Sequence, residues 1–468
     1  MPTHRAYAFT MLLAMLLGCG ALLIPSRVAY AATITVTTTA DELDTNGACS
    51  LREAIRAANT NAKVGACVAG SSTGTDTITV PAGTYVLTRL GADEEANVTG
   101  DLDITSPIKI VGAGVSATVI DGNRTDRVLN VKSGATLTLT KVTVRNGCVG
   151  SGVTVAVNGG GIYNAGTLTL TTVTVTGNYA DSYGGGVANY GTLTVTGSTI
   201  SENGDGTGGG IYNAASRTAT ITSSTISSNS ALGSGPGIAN DGTLTLMSST
   251  VHDNNTMHSG GGIVSSGGTV KVVQSIISAN YATESGGGIA IYSGSTVTLI
   301  NSTVSGNGAG DAVGEGGGLD NAGGTLAVYS STVTGNEGGT GGIVGSATLA
   351  NTIVDMNTHT YGGTSDCTGT LTSRGYNLIG NTSGCTIIGD TTGNLLNVNA
   401  NLGSLQNNGG PTLTHALSSY SPAIDAGNPA TPSATLPACP TKDQRNVTRP
   451  RDGNGDGVAR CDIGAVER

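Results

Sequence analysis

Apolar and small polar residues alternate along most of this chain in short runs. Leu168 and Leu170 are separated by a threonine, and the same alternation recurs in the segments 192–200, 243–251 and 296–304. A period of two with many β-branched residues predicts β-strands rather than helices. Each run holds only a few residues, so the predicted strands are short.

A glycine-rich phrase recurs between these runs and gives the chain its period. The phrase Gly-Gly-Gly-Ile at 159–162 returns with small variations, and the apolar residues that end it are Ile162, Val187, Ile211, Ile238, Ile263, Ile289, Leu319 and Ile343. The steps between them are 24 to 30 residues, which is typical of repeat proteins. A leucine-rich repeat needs more leucine, and a four-stranded propeller blade needs roughly 40 residues. Three short strands per period, joined by right-handed crossovers, predict an all-β, right-handed parallel β-helix.

A series of asparagines has the same period as the glycine phrase. These residues end the last strand of successive periods, at steps of 25 to 29 residues: Asn178, Asn203, Asn229, Asn254, Asn280, Asn307 and Asn336. We expect them to stack at one corner, with each amide bonding its equivalent one coil away. Because Asn tolerates the left-handed conformation, we also expect positive φ at these residues.

Residues 1–31 have the pattern of a secretory signal peptide. Arg5 precedes a long apolar stretch, and Ala-Tyr-Ala at 29–31 supplies the small-x-small cleavage pattern. A lipoprotein signal with lipid on Cys19 is the alternative. No later segment is long and apolar enough to cross a bilayer. The sequence therefore predicts an extracellular or cell-surface protein.

An amphipathic helix is predicted over residues 49–59, Cys-Ser-Leu-Arg-Glu-Ala-Ile-Arg-Ala-Ala-Asn. Ser50 is its expected N-cap and Glu53 occupies the capping-box position. Such a helix would cover the open end of the β-helix and shield its edge strands. The run resembles, letter for letter, the CSLREA segment found near the N-terminus of many large exported bacterial proteins. This resemblance implies an exported β-helix protein and assigns no chemistry.

Further segments resemble two other groups of proteins. Pro-Ala-Gly-Thr-Tyr at 81–85 resembles the opening coils of pectate-lyase-like and polymorphic outer-membrane-protein-like β-helices, and the glycine-rich repeats resemble those of the latter. From Cys367 on, phrases such as Ser-Pro-Ala-Ile-Asp-Ala-Gly at 421–427 resemble the choice-of-anchor Q domain. The resemblance implies a segment that closes the C-terminal end. The predicted organisation is a signal peptide at 1–31, a cap with first coils at 32–125, regular coils at 126–366 and the choice-of-anchor Q-like segment at 367–468.

Seven cysteines follow residue 31: Cys49, Cys67, Cys148, Cys367, Cys385, Cys439 and Cys461. Export permits disulfides, although sequence alone does not fix their connectivity. Three close pairs suggest themselves, namely Cys49–Cys67, Cys367–Cys385 and Cys439–Cys461. Cys148 would then be free.

The composition indicates which residue types can form the core and which classes of partner are disfavoured. Only 3% of the residues are aromatic, so the core must consist of aliphatic side chains and threonine methyl groups. Removal of residues 1–31 takes away two arginines and no acidic residue, which changes the formal charge from −10 to −12. An acidic surface argues against nucleic acid and anionic lipid as partners.

Candidate catalytic groups are dispersed in the regular coils. Between residues 152 and 357, Arg217 and Lys271 are the only basic residues besides histidine. Glu202 and Asp253 occupy equivalent corners two coils apart, about 10 Å by strand spacing, which would suit an inverting carboxylate pair. We expect neither a supporting base nor an aromatic platform for sugars beside them.

The residue types of a catalytic triad are present in His415 and Asp425 together with Ser418 or Ser421. Neither serine lies in a nucleophile elbow. A hydrogen-bonding role for His415 and Asp425 within the C-terminal segment is the preferred interpretation. The sequence therefore predicts no catalytic residue.

The most specific indication of a metal site is the run Asp-Gly-Asn-Gly-Asp-Gly-Val, which contains Asp452, Asn454 and Asp456. Oxygen ligands stand at positions 1, 3 and 5 of a calcium-loop pattern, and glycine stands at position 6. Ile463 replaces the bidentate glutamate of position 12, so a polar turn is the alternative. Calcium is the only cofactor that the sequence suggests.

The predicted function is non-catalytic: a secreted or cell-surface β-helix with a role in adhesion or in contact with matrix or envelope. Its expected partner is an extracellular glycan, matrix or envelope surface. The alternative is a polysaccharide lyase or glycoside hydrolase on the same scaffold. The fold does not decide between these two classes.

Overall fold

The protein is a right-handed parallel β-helix, as predicted. A computed structural model describes residues 31–91, 94–150, 158–310, 316–363 and 365–468. Successive coils stack in register, and almost all strand pairs are parallel. The predicted signal peptide at 1–31 lies, apart from its last residue, outside the described residues.

Within a coil the chain passes through four rows of strands in a fixed order, which we call sheets 1 to 4. Sheet 1 consists of Leu102–Ile104, Leu129–Val131, Ile162–Asn164, Val187–Asn189, Ile211–Asn213, Ile238–Asn240, Ile263–Ser265, Ile289–Tyr292, Leu319–Ala322 and Ile343–Gly345. Sheet 2 consists of Thr33–Thr35, Asp76–Val80, Pro107–Gly112, Thr136–Thr140, Thr167–Thr171, Thr192–Thr196, Thr218–Thr222, Thr243–Met247, Thr269–Val273, Thr296–Ile300, Thr325–Tyr329, Ala347–Ala350, Cys367–Arg374 and Cys385–Asp390.

Sheets 3 and 4 complete each coil. Sheet 3 consists of Gly83–Val86, Thr118–Asp121, Thr143–Arg145, Thr174–Thr176, Thr199–Ser201, Thr225–Ser227, Thr250–His252, Ile276–Ser278, Thr303–Ser305, Thr332–Thr334, Ile353–Asp355, Leu378–Ile379 and Leu395–Leu396. Sheet 4 consists of the short strands Cys148–Val149, Tyr179–Tyr183, Gly204–Thr207, Ser230–Ala231, Asn255–Thr256 and Tyr281–Ala282, with Glu337–Gly338 and Thr358–His359 continuing it as a separate pair. Three strands per coil were expected, so sheet 4 is an addition to the predicted coil. Thr118–Asp121 also follows a sheet 2 strand directly, so the early coils keep the same order.

The predicted apolar anchors form one stacked row inside the helix. Ile162 pairs with Val187, Val187 with Ile211, and the series continues in register to Ile343. These side chains are fully buried together with Leu168 and Leu170 of sheet 2. Because each buried aliphatic side chain contributes about 1.5–3 kcal/mol, these rows are the main stabilising element of the rod.

The predicted asparagine ladder is present at the corner between sheets 3 and 4. The Nδ2 atom of Asn254 donates to Oδ1 of Asn280 at 2.8 Å. Oδ1 of Asn254 in turn accepts from the backbone nitrogen of Asn229 at 3.1 Å and from its Nδ2 at 2.9 Å. The same pattern runs from Asn178 to Asn357. Each ladder residue therefore satisfies buried polar groups of two coils.

The expectation of positive φ at these asparagines is wrong, because the positive φ lies one residue earlier in the chain. Throughout the described ladder it is the preceding residue that adopts the left-handed conformation, as at Glu202 (φ 56°), Ser228 (φ 54°) and Asp253 (φ 54°). The reason is that the asparagine side chain must point inward to bond both neighbours. The residue before it therefore makes the turn.

Two more polar ladders stand at the other corners. Asn164, Asn189, Asn213 and Asn240 bond amide to amide at the end of sheet 1, with Nδ2···Oδ1 distances of 2.7–2.8 Å. Serines take this role between sheets 2 and 3, where the backbone nitrogen of Ser198 donates to Oγ of Ser224 at 3.1 Å, and Ser224 to Ser249 likewise. Polar ladders therefore hold the coils at three corners.

The N-terminal cap is confirmed. The helix spans Leu51–Thr60, with Ser50 as N-cap and a complete capping box with Glu53. Arg52 is buried and forms an ion pair with Asp41, with Nε···Oδ1 at 2.6 Å. The helix contacts the first strands of sheets 1 and 2, as a cover for the end of the rod requires.

The three predicted disulfides, Cys49–Cys67, Cys367–Cys385 and Cys439–Cys461, are all present. Cys148 is a free thiol, as expected. Among the residues with described positions, no helix is long and apolar enough to span a bilayer.

The C-terminal segment was expected to close the end of the rod, but it packs along its side. The strands of sheets 2 and 3 continue to Leu396, and only then does the chain fold back, with an antiparallel pair at Leu402–Gln406 and Thr414–Leu417. Ile353 and Leu378 face outward from sheet 3 and are fully buried beneath this segment. The C-terminal segment packs against the side of the rod because these outward apolar side chains would otherwise be exposed to solvent.

Candidate functional site

One outward row of side chains crosses the whole rod on sheet 1. The first and third residues of each strand point into the core, so the middle residue points outward. In register, these middle residues are Asp103, Asn130, Tyr163, Ala188, Tyr212, Ala239, Val264, Ala290 and Asp320. Their order places an acid cluster at one end, aromatic rings next, and a floor of small apolar residues after them.

Tyrosine rings form a continuous strip along this row. Tyr190 lies between Tyr163 and Tyr212, with ring centroids 5.2 Å and 5.7 Å away. Tyr183 comes from sheet 4 and stacks on Tyr212 at 4.5 Å. These separations are typical of favourable aromatic pairs. Burial raises the pKa of Tyr190 to about 12, and burial together with a hydrogen bond to Asp241 raises that of Tyr212, so both hydroxyls remain hydrogen-bond donors at neutral pH.

Beyond the strip, the surface opens into a groove of about 450 Å³. The small side chains Ala239 and Val264 form its floor because they leave room that the tyrosines fill elsewhere in the row. Its wall and rim residues are Tyr183, Thr207, Tyr212, Gly233, Ser234, Asp241, His258, Ser266 and Tyr292. The groove thus combines aromatic faces with carboxylate, imidazole and hydroxyl groups.

Hydrogen bonds fix the polar groups of the groove. The Tyr212 hydroxyl donates to Oδ2 of Asp241 at 2.7 Å. His258 Nδ1 lies 2.9 Å from Oε1 of Glu284, and Ser259 donates to the other oxygen of that carboxylate at 3.0 Å. Leu232 and Met257, on neighbouring coils beside sheet 4, are 68% and 72% exposed and extend the apolar surface near the rim.

The acid cluster at the other end of the row is buried and paired with cations. Asp103 is fully buried, and its Oδ1 lies 3.1 Å from Nζ of Lys132. Arg127 forms an ion pair with Asp101 at 3.1 Å and places its guanidinium 5.1 Å from the Tyr163 ring centroid. Arg127 therefore joins the acid cluster to the tyrosine strip.

Burial shifts the acid–base properties of this cluster. It raises the pKa of Asp103 to about 8 and that of Asp101 to about 7, because the charged carboxylate is poorly solvated. The same effect lowers the pKa of Lys132. Oδ2 of Asp103 and Oδ1 of Asn130 are buried without a hydrogen-bond partner. In the described ranges, no group of three or more His, Cys, Asp or Glu residues could hold a metal ion.

The carboxylates singled out from the sequence lie elsewhere. Glu202 and Asp253 are exposed at the corner between sheets 3 and 4, each just before a ladder asparagine. Oδ2 of Asp253 lies 2.6 Å from Nδ1 of its neighbour His252. The expectation of no supporting base and no aromatic platform concerned only the surroundings of Glu202 and Asp253. Elsewhere on the rod, Lys132 and Arg127 stand beside carboxyl groups, and the tyrosine strip presents aromatic rings.

The hydrogen-bonding interpretation of His415 is confirmed. Its Nδ1 lies 2.7 Å from the carbonyl oxygen of Gly403, and its Nε2 lies 2.8 Å from Oγ of Ser305. Asp425 instead accepts from the backbone nitrogen of Asn454 at 2.8 Å, and Ser421 donates to the carbonyl oxygen of Ala400. No triad is assembled from these residues.

The side chains of the proposed calcium loop bond to their own backbone. Asp452 accepts from the nitrogens of Gly455 and Gly457 at 2.7 and 2.9 Å. Asn454 accepts from the nitrogen of Asp456, and Asp456 accepts from that of Val458, each at 2.8 Å. The loop is therefore folded around its three candidate ligands, and calcium binding stays a prediction.

The tyrosine strip was not predicted from the sequence, although the sequence contains a signal for it. The phrase Ile-Tyr-Asn occurs at both 162–164 and 211–213, at the same position of the period. The intervening Tyr190 follows the related phrase Val-Ala-Asn at 187–189. Only the coil-to-coil register shows that these three rings meet.

Comparisons with known proteins agree with the fold. Residues 110–304 match the family model described as right handed beta helix region. No curated protein matches the chain. The class of protein that the fold defines is therefore the right-handed parallel β-helix.

Solved structures to which the chain is similar include a pectate lyase, an epimerase module and a viral protein. Pectate lyase Pel9A is 13% identical, with a TM-score of 0.40, covering 85% of this chain and 89% of that one. The A-module of the mannuronan C-5 epimerase AlgE6 from Azotobacter vinelandii is 16% identical, with a TM-score of 0.31, covering 69% and 88%. ORF18 of Geobacillus virus E2 is 14% identical, with a TM-score of 0.26, covering 74% and 56%. Similarity at this level says nothing about activity.

Proposed function

We propose that this protein is an extracellular, non-catalytic β-helix that binds a glycan along the outward face of sheet 1. The observation that carries the proposal is the strip Tyr163–Tyr190–Tyr212, which continues into the open groove. Aromatic faces accept the apolar C–H faces of sugars, while hydroxyl and carboxylate groups bond sugar hydroxyls. A linear glycan could make such contacts on several successive coils.

An extracellular location supports this role. Three disulfides fit an oxidising compartment, and the pattern at 1–31 is that of an exported protein. Surface glycans, matrix or envelope polysaccharides are the ligands available there. A chain with a net negative charge is unsuited to nucleic acid.

A glycan array tests the proposal. The mature protein should bind at least one class of polysaccharide, and Tyr190→Ala should weaken that binding. Tyr420→Ala is the matched control, because Tyr420 is 87% exposed on the C-terminal segment, away from sheet 1. Equal binding by both variants, or binding to no glycan at all, would refute the proposal.

The alternative function is a polysaccharide lyase or glycoside hydrolase, and the Asp103–Lys132 pair favours it. A buried acid with a raised pKa beside an amine with a lowered pKa is a suitable acid–base pair. Asp103 is fully buried, however, so a substrate would have to reach Lys132 first. Release of reducing ends or unsaturated sugars by the wild type, lost in Lys132→Met, would establish the enzyme and replace the non-catalytic proposal.

A further inference from the structure

The carboxylates in and beside the groove favour a cationic ligand. Its lining contains Asp241 and His258 but no lysine or arginine, and Glu284 stands against His258 at 2.9 Å. The sequence from 158 to 357 contains eleven acidic residues and, besides histidine, two basic ones, Arg217 and Lys271. Neither of these two is among the groove residues.

The two cations of the acid cluster, at the end of the tyrosine strip, already have carboxyl partners. Arg127 is paired with Asp101, and Lys132 is paired with both Asp103 and Glu95. A polyuronate would therefore bring its carboxylates to a groove whose lining contains Asp241 and no lysine or arginine. Like charges brought together in this way oppose binding.

We propose that the groove selects a glycan carrying free ammonium groups, that is, a polymer of amino sugars that are not N-acylated. This inference rests on the proposed function and names its ligand class. An ammonium group can donate to the carboxylates of Asp241 and Glu284, and it is also attracted to aromatic faces such as Tyr183 and Tyr292. The sugar ring then covers Ala239 and Val264 on the floor.

The decisive experiment compares ligands of one length that differ in charge. Isothermal titration of the mature protein would use a β-1,4-linked glucosamine oligomer, its N-acetylated form, an oligogalacturonate and an oligolysine. We expect the free amine to bind about tenfold more tightly than the N-acetylated form, since a charged hydrogen bond is stronger than a neutral one. The preference should shrink as salt is added.

Matched variants locate the effect. Asp241→Asn keeps an acceptor for the Tyr212 hydroxyl and removes the charge, and Glu284→Gln does the same beside His258. Each should reduce the preference for the free amine severalfold. Glu202→Gln and Asp253→Asn remove exposed carboxylates at another corner and should leave it unchanged. If Asp241→Asn melts abnormally, Glu284→Gln and the salt dependence of the wild type still decide.

The outcomes separate this inference from the proposed function. Equal binding of the two glucosamine forms, or tighter binding of oligogalacturonate, would overturn the inference and leave glycan binding intact. Oligolysine binding as tightly, with the same dependence on Asp241, would show a general polycation site and overturn it as well. Failure of every glycan to bind would overturn both.

Discussion

The hydroxyl of Tyr212 donates to the carboxylate of Asp241 on the next coil, with the two oxygens 2.7 Å apart. This bond ties the end of the tyrosine strip to the groove, so that the ring and the carboxylate are held together. At Tyr212 the outward surface of sheet 1 also changes from aromatic rings to small side chains, because Ala239 follows Tyr212 in the row.

Two substitutions of Tyr212 distinguish the stability contributed by its ring from that contributed by its hydroxyl. Tyr212→Phe keeps the stacking with Tyr183 and Tyr190 and should lower the free energy of unfolding by about 1 kcal/mol, the usual value of one hydrogen bond. Tyr212→Ala also removes the stacked ring and should cost about 3 kcal/mol or more. Chemical denaturation measures both. Equal losses in the two variants would show that the ring contributes nothing.

The asparagine ladder and the residue before it should respond in opposite ways. Asn254→Ala leaves buried donors and acceptors of two coils unpaired and should cost about 3 kcal/mol. Asp253→Gly relieves a left-handed residue and should be neutral or stabilising by up to about 1 kcal/mol. Thermal melts decide, and a destabilising Asp253→Gly would contradict the assigned turn.

The acid cluster should make the protein less stable as pH rises. The pKa of Asp103 is about 8 in the folded protein and about 4 in an unfolded chain, so the folded state binds more protons between these values. The contribution of Asp103 to the free energy of unfolding is therefore complete below about pH 4 and is lost as pH rises towards about 8.

Asp103→Asn removes the titrating group and tests this dependence. Melting temperatures of the variant should fall less between pH 5 and pH 8 than those of the wild type, measured at about one-unit steps. Asp253→Asn, an exposed carboxylate, is the control and should follow the wild type. A wild-type melting temperature that rises over this range would contradict the sign.

Calcium binding by Asp452, Asn454 and Asp456 predicts a metal-dependent melt. Millimolar-range calcium should raise the melting temperature through binding to the folded state, and a chelator should reverse it. Asp452→Asn with Asp456→Asn should abolish the shift. An unchanged melt in the wild type would leave the run as a polar turn, the alternative interpretation.

The repeat itself was predictable because its signal is local and recurs many times. The anchors from Ile162 to Ile343, the asparagine ladder and the capping box of Ser50 and Glu53 each follow from spacing within one period or one turn. The three disulfides followed from proximity in sequence, because each bridge closes a short loop.

The candidate site was not predictable because it depends on contacts between coils. Steps of 24 to 30 residues mean that the loops differ in length, and only the register shows which middle residues share a row. The acid cluster is harder still, since Asp103 and Lys132 come from the irregular early coils. The turn before each ladder asparagine was misplaced because sequence gives residue preference, not the direction of the side chain.

The central claim is that the tyrosine strip on sheet 1 binds a glycan. It is tested most directly by titrating Tyr190→Ala and Tyr420→Ala with the tightest oligosaccharide from the array. The claim predicts about tenfold weaker binding for Tyr190→Ala and wild-type affinity for Tyr420→Ala, with both variants shown by their melts to be folded at the titration temperature. Wild-type affinity in Tyr190→Ala would contradict it.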